Sequence, residues 1–123
     1  MYQQDWLMRQ IEAFVYAVCK QIFNRDTAEY IPGAVEENAD ADLLHRELLR
    51  LLEACDFCAA ENLLYREFVP GSEALLQVAA DFYRRLNEFS DEALLRGNFS
   101  REEIEEGLRD LVRKSGFDLP GVL

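Results

Sequence analysis

The chain has 123 residues, of which 50% are hydrophobic and 30% charged, and its 24 acidic and 13 basic side chains give a net charge of -11. This length fits one domain, so we expect a single domain over residues 1–123. The charge would repel phosphate backbones and anionic lipid headgroups, which argues against nucleic-acid and membrane partners. No apolar run approaches the roughly 20 residues that a bilayer span requires.

The opening residues, MYQQDWLMRQIEAF, carry an acid early and lack the short apolar core of a secretory signal. The three cysteines are an odd number, which favours reduced thiols over a disulfide framework. Together these features predict a cytoplasmic protein.

The first predicted helix has Asp5 as its N-cap and runs to about Phe23. The segment from Asn24 to about Asp40 lacks helical periodicity and contains Pro32-Gly33, so we predict a surface loop. The apolar stripe of the first helix consists of Leu7, Ile11, Phe14, Val15, Val18 and Ile22.

Two amphipathic stretches separated by a break at Cys55-Asp56-Phe57 predict a helical hairpin. Its helices span about Asp42 to Ala54 and about Cys58 to Phe68. Both apolar arcs are wide, as in a stacked helical array whose helices have neighbours on several sides. The break, DFxxA with leucines upstream, resembles a single tetratricopeptide unit.

Three further helices follow. The fourth, from about Ser72 to Glu88, has a broad apolar face and is predicted to be central. A short fifth helix opens at Ser90-Asp91-Glu92 and closes at Gly97-Asn98. The last begins with the capping box Ser100-Arg101-Glu102-Glu103 and ends at Ser115-Gly116-Phe117. The expected fold is therefore all-α, with five to six helices in a tetratricopeptide-like right-handed array.

Over its whole length the chain resembles a family of short bacterial helical proteins of unknown function. The opening DWLMRQIE, from Asp5 to Glu12, and the closing NFSREEIEEGL, from Asn98 to Leu108, are the segments that bear the likeness. The resemblance implies helical architecture and a bacterial source, and it brings no activity, cofactor or catalytic residue with it.

Cys55 and Cys58 form a CxxC, and a cysteine near a helix start feels a field that favours the thiolate. The motif has neither a preceding strand nor a second CxxC, so we interpret these cysteines as small apolar residues of a tight turn. His45 and Cys19 are the only other soft metal ligands. We therefore predict no catalytic residue, no cofactor and no metal site.

The repeat pattern places His45, Leu49 and Leu52 of the second helix on the face where such domains receive ligands, and Trp6 of the first helix is a further candidate. Exposed leucines of this kind need a cover, either the first helix or a partner. We predict a non-enzymatic interaction module whose partner is an unknown protein or a second copy. Two alternatives remain open: a thiol or metal protein using Cys55 and Cys58, and an acidic decoy of a nucleic-acid-binding protein.

Overall fold

The computed structural model describes residues 2–120, with side chains from Asp5 onward. Within this part the chain is all-helical and contains no strand, which confirms the predicted fold class. The tetratricopeptide-like handedness stays a prediction. The helices are α1 (Tyr2–Phe23), α2 (Ala39–Glu53), α3 (Phe57–Glu67), α4 (Glu73–Asn87), α5 (Asp91–Arg96) and α6 (Arg101–Ser115), with a short 3-10 helix at Glu36–Asn38.

The N-terminal ends of the first and second helices differ from those predicted. Asp5 lies inside the first turn of α1, so its assignment as N-cap is wrong. The residues before it contain no helix breaker, and a carboxylate in the first turn is favourable beside the positive end of the helix dipole. The second helix begins at Ala39, three residues before the predicted Asp42.

The last helix has the ends that its sequence predicts. The Ser100 hydroxyl accepts the Glu103 N–H at 3.2 Å, and the Glu103 carboxylate accepts the Ser100 N–H at 2.8 Å. These two bonds are the reciprocal pair of a capping box. Gly116 ends the helix at φ +82°, the left-handed conformation in which glycine has no steric penalty.

Helix α4 is the centre of the molecule, as predicted. It packs against α1, α2 and α6, while α1 also contacts α6 and α2 forms the hairpin with α3. Its apolar side chains surround most of its circumference, which is typical of a helix with neighbours on several sides. The α1 stripe is buried against this core, with Ile11 and Val18 at 1% and 0% exposure. Helices α1 and α2 both pack against α4 and, over the residues that the structure describes, make no extensive contact with one another.

The joint between α4 and α6 is built around a buried arginine. Arg101, the first residue of α6, donates to the carbonyl oxygens of Asn87 and Phe89 at 2.8 and 2.7 Å. Its guanidinium also pairs with Asp91 at 2.9 Å. Arg101 thereby satisfies carbonyls at the end of α4 that have no partner within the helix.

The predicted surface loop from Asn24 to Asp40 is partly wrong. It contains the 3-10 turn, and two of its residues, Ala28 and Tyr30, are buried in the core. The Tyr30 ring lies 4.9 Å from the imidazole of His45, centroid to centroid. Its hydroxyl donates to Asp42. These contacts hold the segment against α2 and α4, although its sequence has no helical periodicity.

None of the helices in the described part combines the length and the apolar character needed to cross a membrane.

Candidate interaction groove

A buried carboxylate joins α2, α4 and the segment before α2. Asp81 of α4 accepts hydrogen bonds from His45 Nε2 at 2.6 Å, Arg84 Nη2 at 2.6 Å and Arg85 Nε at 2.8 Å. The backbone N–H of Tyr30 is a fourth donor, at 3.4 Å from Oδ1. Asp81 and His45 are 0% and 3% exposed, so solvent does not reach either of them.

The electrostatics of this centre favour a permanent negative charge on Asp81. Burial alone would raise the pKa of this carboxyl, but the hydrogen bonds from His45, Arg84 and Arg85 outweigh it and lower the pKa to about 2. Such a carboxylate is a poor proton acceptor at neutral pH. The centre is therefore suited to holding helices together and not to acid-base chemistry.

The two arginines extend from Asp81 to the floor of an open groove between α1 and α2. The groove consists of two depressions of about 320 and 260 Å³ that meet at Glu88. We call it the α1–α2 groove. The depression on the α2 side is lined by Leu49, Leu52, Glu53, Arg85, Glu88 and Phe89, and the one on the α1 side chiefly by Glu12, Val15, Tyr16, Cys19, Ala28 and Arg84.

The structure brings only part of the predicted partner face together. Leu49 and Leu52 line the α1–α2 groove, although Leu52 is itself only 4% exposed. His45 is 3% exposed, lies beside the Tyr30 ring and is not among the residues that line the groove. Trp6 is 66% exposed on α1 and is not among the residues that line the groove.

Most groove residues were not predicted from the sequence, among them Val15, Tyr16 and Phe89. Val15 belongs to the predicted core stripe, Tyr16 is an aromatic residue just outside it, and Phe89 follows the end of the fourth helix. Tyr16 is the residue from which this surface could have been predicted, because an aromatic residue beyond the main apolar stripe of a helix predicts a second contact surface. The structure leaves it 53% exposed.

A second apolar surface surrounds the first turns of α4. Ile31, Val35, Leu43 and Val69 are each about half exposed. Leu43 and Val69 line one depression, beside Leu75 of α4. Ile31 and Val35 line another, beside Ala74. Most of these residues fall in segments predicted as loops, where helical periodicity gives no indication of a shared surface.

Acidic side chains of α3 and α6 lie on opposite sides of a cleft, and tyrosine hydroxyls donate hydrogen bonds to two of them. The Tyr83 hydroxyl donates to Glu61 at 2.7 Å, and the Tyr65 hydroxyl donates to Asp110 at 2.9 Å. Burial raises the pKa of Glu61, and its bond from Tyr83 only partly opposes the rise. Gly107 allows the Tyr83 hydroxyl to lie close to α6, because a Cβ at position 107 would lie 2.4 Å from the Tyr83 hydroxyl oxygen.

Cys19 and Cys58 lie in environments that keep their thiols protonated. Burial raises the pKa of Cys19 to about 11. Partial burial, and then the carboxylates of Glu103 and Glu61, raise the pKa of Cys58, whose thiol lies 3.5 Å from the carbonyl oxygen of Asn98. A reactive thiol requires the opposite shift. In the described part of the chain, no three His, Cys, Asp or Glu side chains are grouped so that they could hold a metal ion.

Fold and groove together define an all-helical protein with an open apolar depression on each side of its central helix. A family model described as a family of unknown function, DUF6483, matches residues 1–116, and the chain belongs to this family. No curated protein matches the chain, and no solved structure matches it. The predicted resemblance to a helical family of unknown function is thus confirmed, while a bacterial source stays a prediction.

Proposed function

We propose that this protein is a non-enzymatic protein-interaction module that receives its partner in the α1–α2 groove. The observation that carries the proposal is the groove itself. Leu49, Phe89 and Tyr16 are partly or largely exposed on either side of α4, although most of the apolar stripe on α1 is buried. An apolar depression with a polar rim is the usual form of a site for another protein.

The arginines of the groove floor and the buried histidine behind them support a binding role over a catalytic one. Arg84 and Arg85 are both bonded to Asp81, and Arg84 also pairs with Glu88 at 3.2 Å. His45 is directed to the same carboxylate and is shielded from solvent. A catalytic site needs an acid, a base or a nucleophile that a substrate can contact, and these groups are occupied by one another.

Several finer features belong to the same proposal. We infer one helical domain over the whole chain, with its hairpins stacked in the right-handed sense of tetratricopeptide repeats. The partner is a protein in the bacterial cytoplasm and not a nucleic acid or a membrane, in keeping with the net charge of -11.

Affinity capture from an extract of the source organism, with quantitative mass spectrometry, tests the proposal. Tyr16→Asp places a charge in the groove, whereas the control Leu95→Asp places one on α5 at a side chain that is 78% exposed. Proteins bound stoichiometrically by the wild type should be retained by Leu95→Asp and lost with Tyr16→Asp. Equal capture by both variants would contradict the proposal.

A further inference from the structure

We propose that the partner segment in the α1–α2 groove is a positively charged amphipathic helix. This inference rests on the interaction function proposed above and names the chemistry of the partner. It follows from the charges at the rim, from the shape of the floor and from the charges of the chain's own helices.

The rim of the groove is acidic. Glu12 lies on the α1 side and Glu53 on the α2 side, while Asp26 and Glu88, which also line the groove, pair with Lys20 and Arg84. Neither Glu12 nor Glu53 forms an ion pair with any residue that the structure describes. Lysine or arginine side chains of a partner could therefore pair with them on both sides of the groove.

The basic residues of the floor do not offset this rim. Arg84 and Arg85 approach the Asp81 carboxylate at 2.6 and 2.8 Å, and Arg84 also contacts Glu88. Their positive charge is thus compensated from within the protein. An anionic partner would have to compete with the buried Asp81, whereas a cationic partner meets Glu12 and Glu53 directly.

The floor suits one face of a helix. Leu49, Leu52 and Phe89 line one depression, and Val15 and Tyr16 line the other. An amphipathic helix lying across the two depressions would insert apolar side chains from successive turns into them and keep its charged flanks at the rim. Recognition would then combine apolar burial in the floor with charge pairing at the edges.

A second copy of this chain does not supply such a segment. None of the six described helices carries more basic than acidic side chains. Two copies that each bear a charge of -11 would also repel one another as they approached. The occupant that the groove fits is therefore part of a different protein.

Two synthetic peptides of roughly 18 residues, about five helical turns, provide the probe. Both have the same leucine stripe, and their polar positions are all lysine in one and all glutamate in the other. Binding is followed by amide chemical shifts of the isotope-labelled full-length protein. The lysine peptide should give saturable shifts at Val15, Tyr16, Leu49, Leu52 and Phe89, weaker at high salt, and the glutamate peptide should give none.

Variants of the rim test the role of charge. The double variant Glu12→Gln and Glu53→Gln should bind the lysine peptide about tenfold more weakly, since it removes two surface ion pairs. The matched control, Glu92→Gln with Glu102→Gln, alters exposed acids of α5 and α6 and should bind like the wild type. Unchanged binding by the rim variant would overturn the proposal.

Equal binding of the glutamate peptide, no binding of the lysine peptide, or shifts mapped away from the groove would also overturn it. The interaction function and the cationic-helix inference can be refuted independently of one another. If Tyr16→Asp abolishes capture of a native partner while the lysine peptide does not bind, the interaction function stands and the cationic-helix inference fails.

Discussion

Replacing Asp81 with asparagine removes the charge at the centre of the helix packing. Asp81 uses both carboxylate oxygens: Oδ1 accepts from Arg84 and from the Tyr30 N–H, and Oδ2 accepts from His45 and Arg85. Asparagine offers one oxygen and one amide group that donates. The amide could donate to His45 Nε2 if that nitrogen accepts, but Arg85 Nε would then lose its acceptor.

The pKa of Asp81 gives the expected cost. Its folded pKa is about 2, against an ordinary value of 3.8, and each pKa unit corresponds to about 1.4 kcal/mol. The ionised carboxylate therefore contributes about 2.5 kcal/mol to the free energy of unfolding at neutral pH. The bonds from Arg84 and Arg85 are among the causes of the lowered pKa and are already included in this figure, so we expect Asp81→Asn to cost about 2–3 kcal/mol.

Urea denaturation at neutral pH, followed by circular dichroism, measures this cost. Asp26→Asn is the matched control, because Asp26 pairs with Lys20 at 3.2 Å but its side chain is 80% exposed. The control should change the free energy of unfolding by less than about 1 kcal/mol. If the two variants cost the same, the Asp81 centre does not stabilise the packing in the way that its bonds indicate.

The same variant predicts a pH dependence with a definite sign. The folded pKa of Asp81 lies below its ordinary value, so its contribution is complete above about pH 4 and is lost as the pH falls toward about 2. The difference in stability between the wild type and Asp81→Asn should therefore narrow over that range. A difference that widened on acidification would contradict the assignment of a charged Asp81.

Three further predictions concern the cap, a helix glycine and a thiol. Ser100→Ala should lower the free energy of unfolding by about 1 kcal/mol in urea, since it removes the N-cap of α6. Gly107→Ala should destabilise the protein by about 1–3 kcal/mol, although alanine normally favours a helix, because the new Cβ would lie 2.4 Å from the Tyr83 hydroxyl oxygen; a higher melting temperature would refute this. The thiol pKa of Cys58, measured from the pH dependence of alkylation at its peptide, should exceed 9.0, and a value below about 7.5 would restore the reactive-thiol alternative.

Both ends of α6 and the break between α2 and α3 could be predicted from the sequence because local chemistry determines them. Ser100 with Glu103 closes its own capping box, and Gly116 adopts the left-handed conformation within its own turn. The break between α2 and α3 is local in the same way, with Cys55 at φ +57°. None of these features depends on a residue far along the chain.

The buried centre around Asp81 could not be predicted from the sequence, because its contacts join residues that are far apart in the chain. Asp81 precedes Arg84 and Arg85 by three and four residues, a spacing typical of ion pairs on a helix surface. Only the packing of α2, with His45 at a sequence separation of 36, and of Tyr30, at 51, buries that carboxylate. Sequence periodicity does not contain this information.

The groove depends on where α1 lies. The sequence indicated that the first helix or a partner covers the leucines of the second helix. In the structure α1 packs against α4 and α6, and the ring that lies beside His45 is that of Tyr30. Leu49 and Leu52 therefore remain at the edge of the α1–α2 groove, facing Phe89.

Site-specific photo-crosslinking in cells tests the central claim, that the α1–α2 groove receives a protein partner. Tyr16→p-benzoylphenylalanine places the reactive group in the groove with an aromatic side chain similar to the native one, and the same amino acid at Leu95 places it on the exposed surface of α5. We expect a discrete heavier adduct from position 16 and none from position 95. No adduct at position 16, or the same adducts from both positions, would contradict it.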